Sequence, residues 1–300
     1  MKRPTDPDTN HPTVRRARPL LGTFVAIGVG NLPEPDALSA IEAGFAAIAD
    51  THRLMSFHEP DSDLSRVNRD AFAGPVQVDC QTFAVLTRAA ELSAVSGGAF
   101  DVTVAAALVA WGFLPRPQSR HQPDPQANWR DIELIPPDLV RFRRSLWIDL
   151  GGIAKGYAVD RAAEAMALPS TAQCSINAGG DLRVSGPETE RVLLRAPRTE
   201  GAAIPVVELR NASLASSSGR DDQRRAEGRM VGPHLDAGRG RSVGARTFVS
   251  VVAENCMIAD GLTKIVLARR GHCVTSLRKF GATAYLRDAR GNWRTLGVAA

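Results

Sequence analysis

The feature that most restricts how this chain can fold is a device it uses twice: an apolar run ending in a Gly-Gly turn beside an aspartate. The first copy is IDLGGIAKGYAVD, residues 148–160, and the second is SINAGGDLRVSG, residues 175–186. Two adjacent glycines let a backbone turn tightly and approach another group with no side chain in the way. In the first copy a buried strand ends at Asp149, and a helix is predicted from about Ala154. The free N–H groups at a helix start can hold an anion such as a pyrophosphate, and Lys155 could neutralise the same group. The same residues also read as an ordinary strand-to-helix turn with a solvent-facing lysine. In the second copy, an aspartate bonded to its own backbone would account for Asp181 taken alone. Two such turns, each setting an acid beside bare backbone, point to a shared ligand crevice.

Several better-known sites are excluded by residue order. A Walker loop needs Gly-Lys-Ser/Thr, whereas here Lys155 precedes Gly156. Gly28-Val29-Gly30 follows a predicted strand, but the third glycine of a dinucleotide fingerprint is missing and no helix opens there. The cysteines Cys80, Cys174, Cys256 and Cys273 show no two-residue spacing, which argues against zinc and for buried free thiols. Of 37 basic residues only four are lysine. The basic residues are scattered, without the basic stripe of a nucleic-acid binder. No apolar run reaches the ~20 residues of a membrane span. The opening MKRPTDPDTNHPTVRRARP lacks an apolar core for a secretory signal, so a cytoplasmic location is expected.

The chain of 300 residues is read as one domain over 18–300 behind a disordered tail at 1–17. Strands are predicted at Thr23 to Val29, Leu146 to Leu150, Gln173 to Asn177, Asp181 to Val184, Val192 to Ala196, Val206 to Arg210 and Phe248 to Ala253. Helices are predicted at 35–55, where Leu38, Ile41, Phe45 and Ile48 recur at helical spacing, and at about 80–96, 154 onward and 258–268. The segment FHEPDSDLSRVNR is read as a loop, residues 114–128 as a proline-rich surface loop, and the polar stretch 216–244 as a long loop or lid.

Three further places carry chemistry. In GGAFDVTVAAALVAWGF, residues 97–113, Asp101 stands where it caps an apolar helix-like run. In NCMIADGLTKIVL, residues 255–267, Asp260 and Lys264 are one helical turn apart, which fits an internal ion pair or a metal ligand with a nearby cation. Of six histidines, His58 and His234 lie in polar loops beside acids.

Taken together, these segments resemble the ApbE-like FAD:protein FMN transferases. RPLLGT (18–23), MSFHEPDSDLSRVN (55–68), GGAFDVTV, IDLGGIAKGYAVD, INAGGDLRVSG, ASSSG (215–219) and SVVAENCMIADGLTK follow that family's motifs in order. The resemblance implies an α+β fold, T-fold-like, of mixed sheets flanked by helices around a central FAD cleft. It implies transfer of FMN from FAD to a threonine or serine hydroxyl of an acceptor flavoprotein carrying a threonine-containing motif, with AMP released. It further implies magnesium at the pyrophosphate, held by the main-chain oxygen of Ala154 and the carboxylate of Asp260. Ala99, Phe100 and Asp101 would line the nucleotide site, Leu21 would make an apolar contact, and Gly151, Gly152, Lys155, Gly179, Gly180 and Asp181 would approach the cofactor. His234 matches the family's proposed general base.

Four departures bear on those roles. Leu21 stands for a methionine, and His58 for a flavin-contacting tyrosine. Lys264 stands where many members have a threonine metal ligand, with Thr263 one residue earlier, and LDAGRGRS after His234 lacks the usual D-P-x-T-G. A protonated lysine cannot ligate a metal. Either Thr263 moves in, or Lys264 supplies the charge itself, or metal binding is lost, so weakened magnesium dependence is expected. Two other functions share the same residues: an FAD-binding module without catalysis, and an FAD pyrophosphatase that gives FMN and AMP.

Overall fold

The computed structural model describes residues 12–194, 204–219, 223–226, 228–243 and 247–297. The chain is built on one eight-stranded sheet: β1 (Val14–Leu20), β2 (Thr23–Gly30), β3 (Gln173–Ala178), β4 (Asp181–Ser185), β5 (Ala212–Ser218), β6 (Phe248–Ala253), β7 (Thr283–Arg287) and β8 (Trp293–Gly297). The strands stand in space in the order they have in the chain. The α+β class is as expected, but every described pairing is antiparallel, so the sheets are not mixed. Strand β1 also corrects the tail at its inner end, because residues 14–17 pair with β2; residues 1–11 lie outside the described residues.

Alternation explains which face of the sheet is covered. In β2, Val25, Ile27 and Val29 are fully buried, while Ala26 is exposed and Phe24, next before Val25, is 72% exposed. The buried set meets Ile41, Phe45 and Ile48 of α1 (Glu34–Met55) and Ala158, Val159 and Ala162 of α3 (Ala154–Ala165). Further along, Ala215, Val249 and Val251 meet Ala259, Leu262 and Val266 of α4 (Cys256–Arg269), which also packs on α2 (Cys80–Val95). The hairpin Glu190–Leu193 with Val206–Leu209 shares a separate small core with β4 and β5. The strand predicted at 192–196 thus begins two residues earlier, at Glu190, and residues 195–196 lie outside the described ones. Cys174, Cys256 and Cys273 are buried free thiols, while Cys80 at the start of α2 is exposed. No described helix is long and apolar enough to cross a membrane.

Two segments differ from their sequence reading for identifiable reasons. Within FHEPDSDLSRVNR, Ser62 accepts from the backbone N–H of Ser65 at 3.0 Å and starts a short helix, Asp63–Asp70. The run Leu146 to Leu150 is extended and almost wholly buried, yet it joins no sheet. The Asn68 amide replaces a neighbouring strand: it accepts from Ile148 N at 2.7 Å and donates to Ile148 O at 2.9 Å. The stretch 216–244 is not one lid. Strand β5 runs into it to Ser218, and two short hairpins follow, Arg224–Ala226 with Arg229–Val231 and Leu235–Asp236 with Arg241–Ser242. Residues 220–222 and 227, and residue 244 at its end, lie outside the described ones.

Helices α3 and α4 touch through bare backbone. A Cβ on Gly156 would lie 2.3 Å from the carbonyl oxygen of Cys256 and 2.9 Å from the Asp260 Cβ. A Cβ on Gly261 would instead meet the Leu92 Cδ1 at 2.5 Å, the movable end of a side chain. Gly156→Ala must push two helices apart, and overpacking of this kind costs ~1–3 kcal/mol. Gly261→Ala gains up to ~1 kcal/mol of helix propensity to offset a rotamer change. Urea unfolding should show Gly156→Ala clearly the less stable of the two. Equal losses would mean that the crossing of α3 and α4 yields as easily as one leucine.

Candidate active site

A cavity of about 500 Å³ opens where the first Gly-Gly turn, the start of α3, the end of α1 and the His234 segment converge. One part of its wall is apolar, with Met55, Phe100, Leu108, Phe113 and Leu235. The other part carries Asp149, Lys155, His234 and Lys264. Leu108 and Phe113 come from the apolar run after Asp101, which forms a 3-10 turn and the helix Ala105–Ala110. Asp101 caps that turn as predicted, accepting from Thr103 N and Oγ1 at 2.8 Å each. It also accepts from Trp129 N at 3.2 Å, which ties the cavity wall to residues 128–131. Burial raises the Asp101 pKa against those hydrogen bonds.

Both cavity lysines are pinned from below by buried carboxylates. Lys155 Nζ lies 2.6 Å from Asp181 Oδ2, and Asp181 is fully buried. Lys264 Nζ donates to Asp260 Oδ1 and reaches the Ser217 Oγ at 3.3 Å. Asp260 is also fully buried, and its Oδ2 accepts from Gly156 N at 3.3 Å. Burial lowers the Lys155 pKa, but the Asp181 and Asp260 carboxylates outweigh it and hold the ammonium above its ordinary range. Burial and the nearby Asp260 charge push the Asp181 carboxyl up, whereas Asp260, buried but beside both Lys264 and Lys155, is held down. Asp149 faces the cavity, and burial raises its pKa; the Gly151 N–H, His58 and Lys264 pull the other way. The sequence singled out Asp149 as the end of the apolar run but gave it no role at the site.

The remaining predicted residues divide into those at the cavity and those behind it. Leu21, His58, Ala99, Phe100, Gly151, Gly152 and Ala154 line it. Leu21 does so from a two-residue hairpin turn between β1 and β2, holding φ at +55° with Gly22 at +69°. A left-handed leucine costs roughly 1–2 kcal/mol, so this position is held against backbone preference. Gly152 lies between Phe100 and the Lys264 stem, where a Cβ would be in ordinary contact with both, at 3.6 and 3.5 Å. Gly179, Gly180 and Asp181 do not line the cavity. Gly179 is bare because a Cβ there would lie 2.6 Å from the Thr23 Oγ1 on β2, so the second turn serves hairpin packing and sets Asp181 under Lys155. Arg224, which the sequence did not suggest, reaches the cavity rim, bonded to the Gly112 carbonyl and stacked 4.8 Å over Phe113.

The metal donors do not assemble. Thr263 is fully buried and outside the cavity; its Oγ1 donates to Asp260 O at 2.7 Å and lies 2.8 Å from the Ser217 Oγ. The Asp260 oxygens are occupied by Lys264 and Gly156. No group of three or more His, Cys, Asp and Glu side chains converges as a metal cluster among the described residues. These residues do not fit a divalent cation.

His234 sits in the same cavity, its carbonyl accepting from Val243 N at 2.8 Å across the neighbouring hairpin. Burial, reinforced by the Lys264 and Lys155 charges, pulls its pKa down to about 3, and Asp260 opposes this only in part. The imidazole is therefore neutral near pH 7 and able to accept a proton. A folded-state pKa below the unfolded value of ~6.5 means that the unfolded chain binds the extra proton first. Stability on this account is full above ~6.5 and is lost as pH falls toward 3. Imidazole NMR should find His234 still neutral at about pH 5, and His234→Asn should flatten the acid loss of stability. A His234 midpoint near 6.5 would show that the cavity neither dries nor charges this group as described.

Comparison with known proteins gives consistent results. The model of the ApbE family matches residues 21–272. The FAD:protein FMN transferase of Haemophilus influenzae is 29% identical over 238 residues, which are 73% of this chain and 69% of that protein. The FAD:protein FMN transferase of Klebsiella pneumoniae is 26% identical over 260 residues, 80% of this chain and 74% of that one. Among solved structures, the ApbE protein of Thermotoga maritima superposes with a TM-score of 0.82 at 24% identity, covering 94% of this chain and 96% of its own. The flavin transferase ApbE of Vibrio cholerae does so with 0.77 at 22% identity, over 95% and 96%.

Proposed function

Because the chain belongs to the ApbE family, we propose that it splits FAD and transfers the FMN half to a threonine or serine hydroxyl of an acceptor flavoprotein, releasing AMP. The observation that carries this reading is the division of one cavity into an apolar wall and a wall of two lysines with a neutral histidine. Phe100, Leu108 and Phe113 suit a flat aromatic ring. Lys155, Lys264 and the uncapped start of α3 suit a diphosphate. Asp101 holds the apolar wall in place through its bonds to Thr103 and Trp129.

In the transfer, the acceptor oxygen forms a bond to the FMN phosphorus as the bond from that phosphorus to the bridging oxygen breaks. The electron pair of the broken bond leaves with AMP, and the hydroxyl proton passes to His234. The two lysines that keep His234 neutral also depress its basicity. A bound diphosphate offsets their charge, so the substrate itself restores a competent base. Magnesium, which the resemblance implies, finds no fitting donor set here, and no step depends on it.

The test is incubation of the protein with FAD and a peptide bearing a threonine acceptor motif. AMP should appear, and the peptide should gain the mass of FMN. AMP and free FMN with an unmodified peptide would mean that water is the acceptor. His234→Ala should keep its FAD affinity and lose transfer by ~100-fold or more, the range of a general base. Unchanged transfer would move the base elsewhere, with His58 as the next candidate.

A further inference from the structure

The polar wall of the cavity differs from a metal site in one consistent respect. The carboxylates that pair with its two lysines lie beneath and the ammonium groups lie on top, and Asp149 is the one carboxylate of this wall that faces the cavity. Asp181 and Asp260 are both fully buried and do not line the cavity, whereas Lys155 and Lys264 do. A divalent cation approaching from the cavity meets two positive charges before it reaches Asp181 or Asp260, and Asp149 alone is too few donors to hold it. A lysine ammonium has three donors and no acceptor. Lys264 spends one on Asp260 and one on Ser217, and Lys155 spends one on Asp181. The remaining donors are available to a ligand in the cavity.

Position and rigidity follow from the packing. The Lys264 stem lies over Gly152, where a Cβ would be 3.5 Å from its Cε and 3.7 Å from its Cγ. Lys155 is the second residue of α3, one place before Gly156, which is in contact with the first turn of α4. Each ammonium therefore has a fixed stem, a fixed counter-ion and at least one free donor. The structure assigns to Lys155 and Lys264 the work of a metal ion: we infer that this protein binds the diphosphate of its nucleotide through two carboxylate-pinned lysines and needs no divalent cation. The inference rests on the flavin-transfer reading for the identity of the nucleotide, but not for the test of the metal.

The protein is stripped with EDTA, and FAD binding is followed by flavin fluorescence and calorimetry in EDTA and then in millimolar magnesium. FAD affinity is expected to change less than about threefold between the two. Titration of magnesium into the FAD complex is expected to show no saturable heat. Lys264→Thr is expected to lose about tenfold or more in FAD affinity in EDTA and to recover it when magnesium is added, because the Asp260 carboxylate is then open to a metal. Lys264→Arg, which keeps the charge and the Asp260 pairing, guards against a folding defect and is expected to stay metal-independent. Loss of FAD binding in EDTA by the unmodified protein, restored by magnesium, overturns the inference. So does full FAD affinity of Lys264→Thr in EDTA. Peptide flavinylation is measured alongside. If no peptide gains FMN while FAD binding stays metal-independent, the transfer reading fails and the two-lysine site stands.

Discussion

The contact on which the site depends is the crossing of α3 and α4 at Gly156. It brings the first turn of α3 against the Cys256 carbonyl with no side chain between them. Asp160, about one turn on from the crossing, secures the arrangement: its two carboxylate oxygens take the N–H groups of Cys256 and Met257 at 2.8 Å each. Burial raises the Asp160 pKa, and these two bonds and Arg183 oppose it. Asp260 reaches back to Gly156 N at 3.3 Å, so each helix supplies a carboxylate to the other. Lys155 stands one residue before the contact on one helix, and Lys264 one turn beyond Asp260 on the other. If the crossing widens, the two ammonium groups part from each other and from their counter-ions together.

The choice of lysine over arginine at both places has a physical sense in a chain otherwise rich in arginine. Only four of its 37 basic residues are lysines, and two of the four are in this cavity. An arginine matches a carboxylate as a planar fork and spends two donors in doing so, facing a fixed direction. An ammonium is a compact charge that can bond a carboxylate below and still turn a proton outward. The surface arginines, by contrast, form pairs such as Arg18 with Glu42 and Arg53 with Asp50 that are exposed and worth little. The net charge of +5 therefore says little about the site, whose four charged partners cancel.

Much of the fold was legible because its elements are long and periodic: α1 and α2 were placed within a residue or two, as were β2 to β4 and β6. What escaped were features fixed by contacts across the chain. An apolar run at 146–150 announces burial, but nothing in it shows that its hydrogen bonds go to the Asn68 side chain. Glycine pairs announce a close approach, but not toward what: Gly152 faces the cavity and Gly179 faces Thr23. The two hairpins within 223–243 are too short for any period to register. At the site, Asp260 and Lys264 could be paired from their spacing alone. That Thr263 is buried in the core, that Asp149 faces the cavity, and that His234 shares the cavity with Lys155 and Lys264 all depend on three-dimensional packing.

The order of the strands carries a consequence for how the protein assembles. Sheet neighbours follow one another in the chain, but the longest excursion between two of them separates β2 from β3 by α1, α2 and α3, and Val25 must find Ala178 across it. The entropy of closing a loop rises only with the logarithm of its length, so the native state bears this lightly. The rate does not, because long-range pairing is slow to be rewarded. The hairpins β1–β2 and β3–β4 can form early on local contacts, and the β2–β3 seam must wait for the intervening helices to collapse. The cavity is built largely from that same intervening stretch, with the β1–β2 turn, the His234 segment and α4 completing it, so a half-folded chain has no binding site, and ligand capture reports completion of the slowest seam in the sheet.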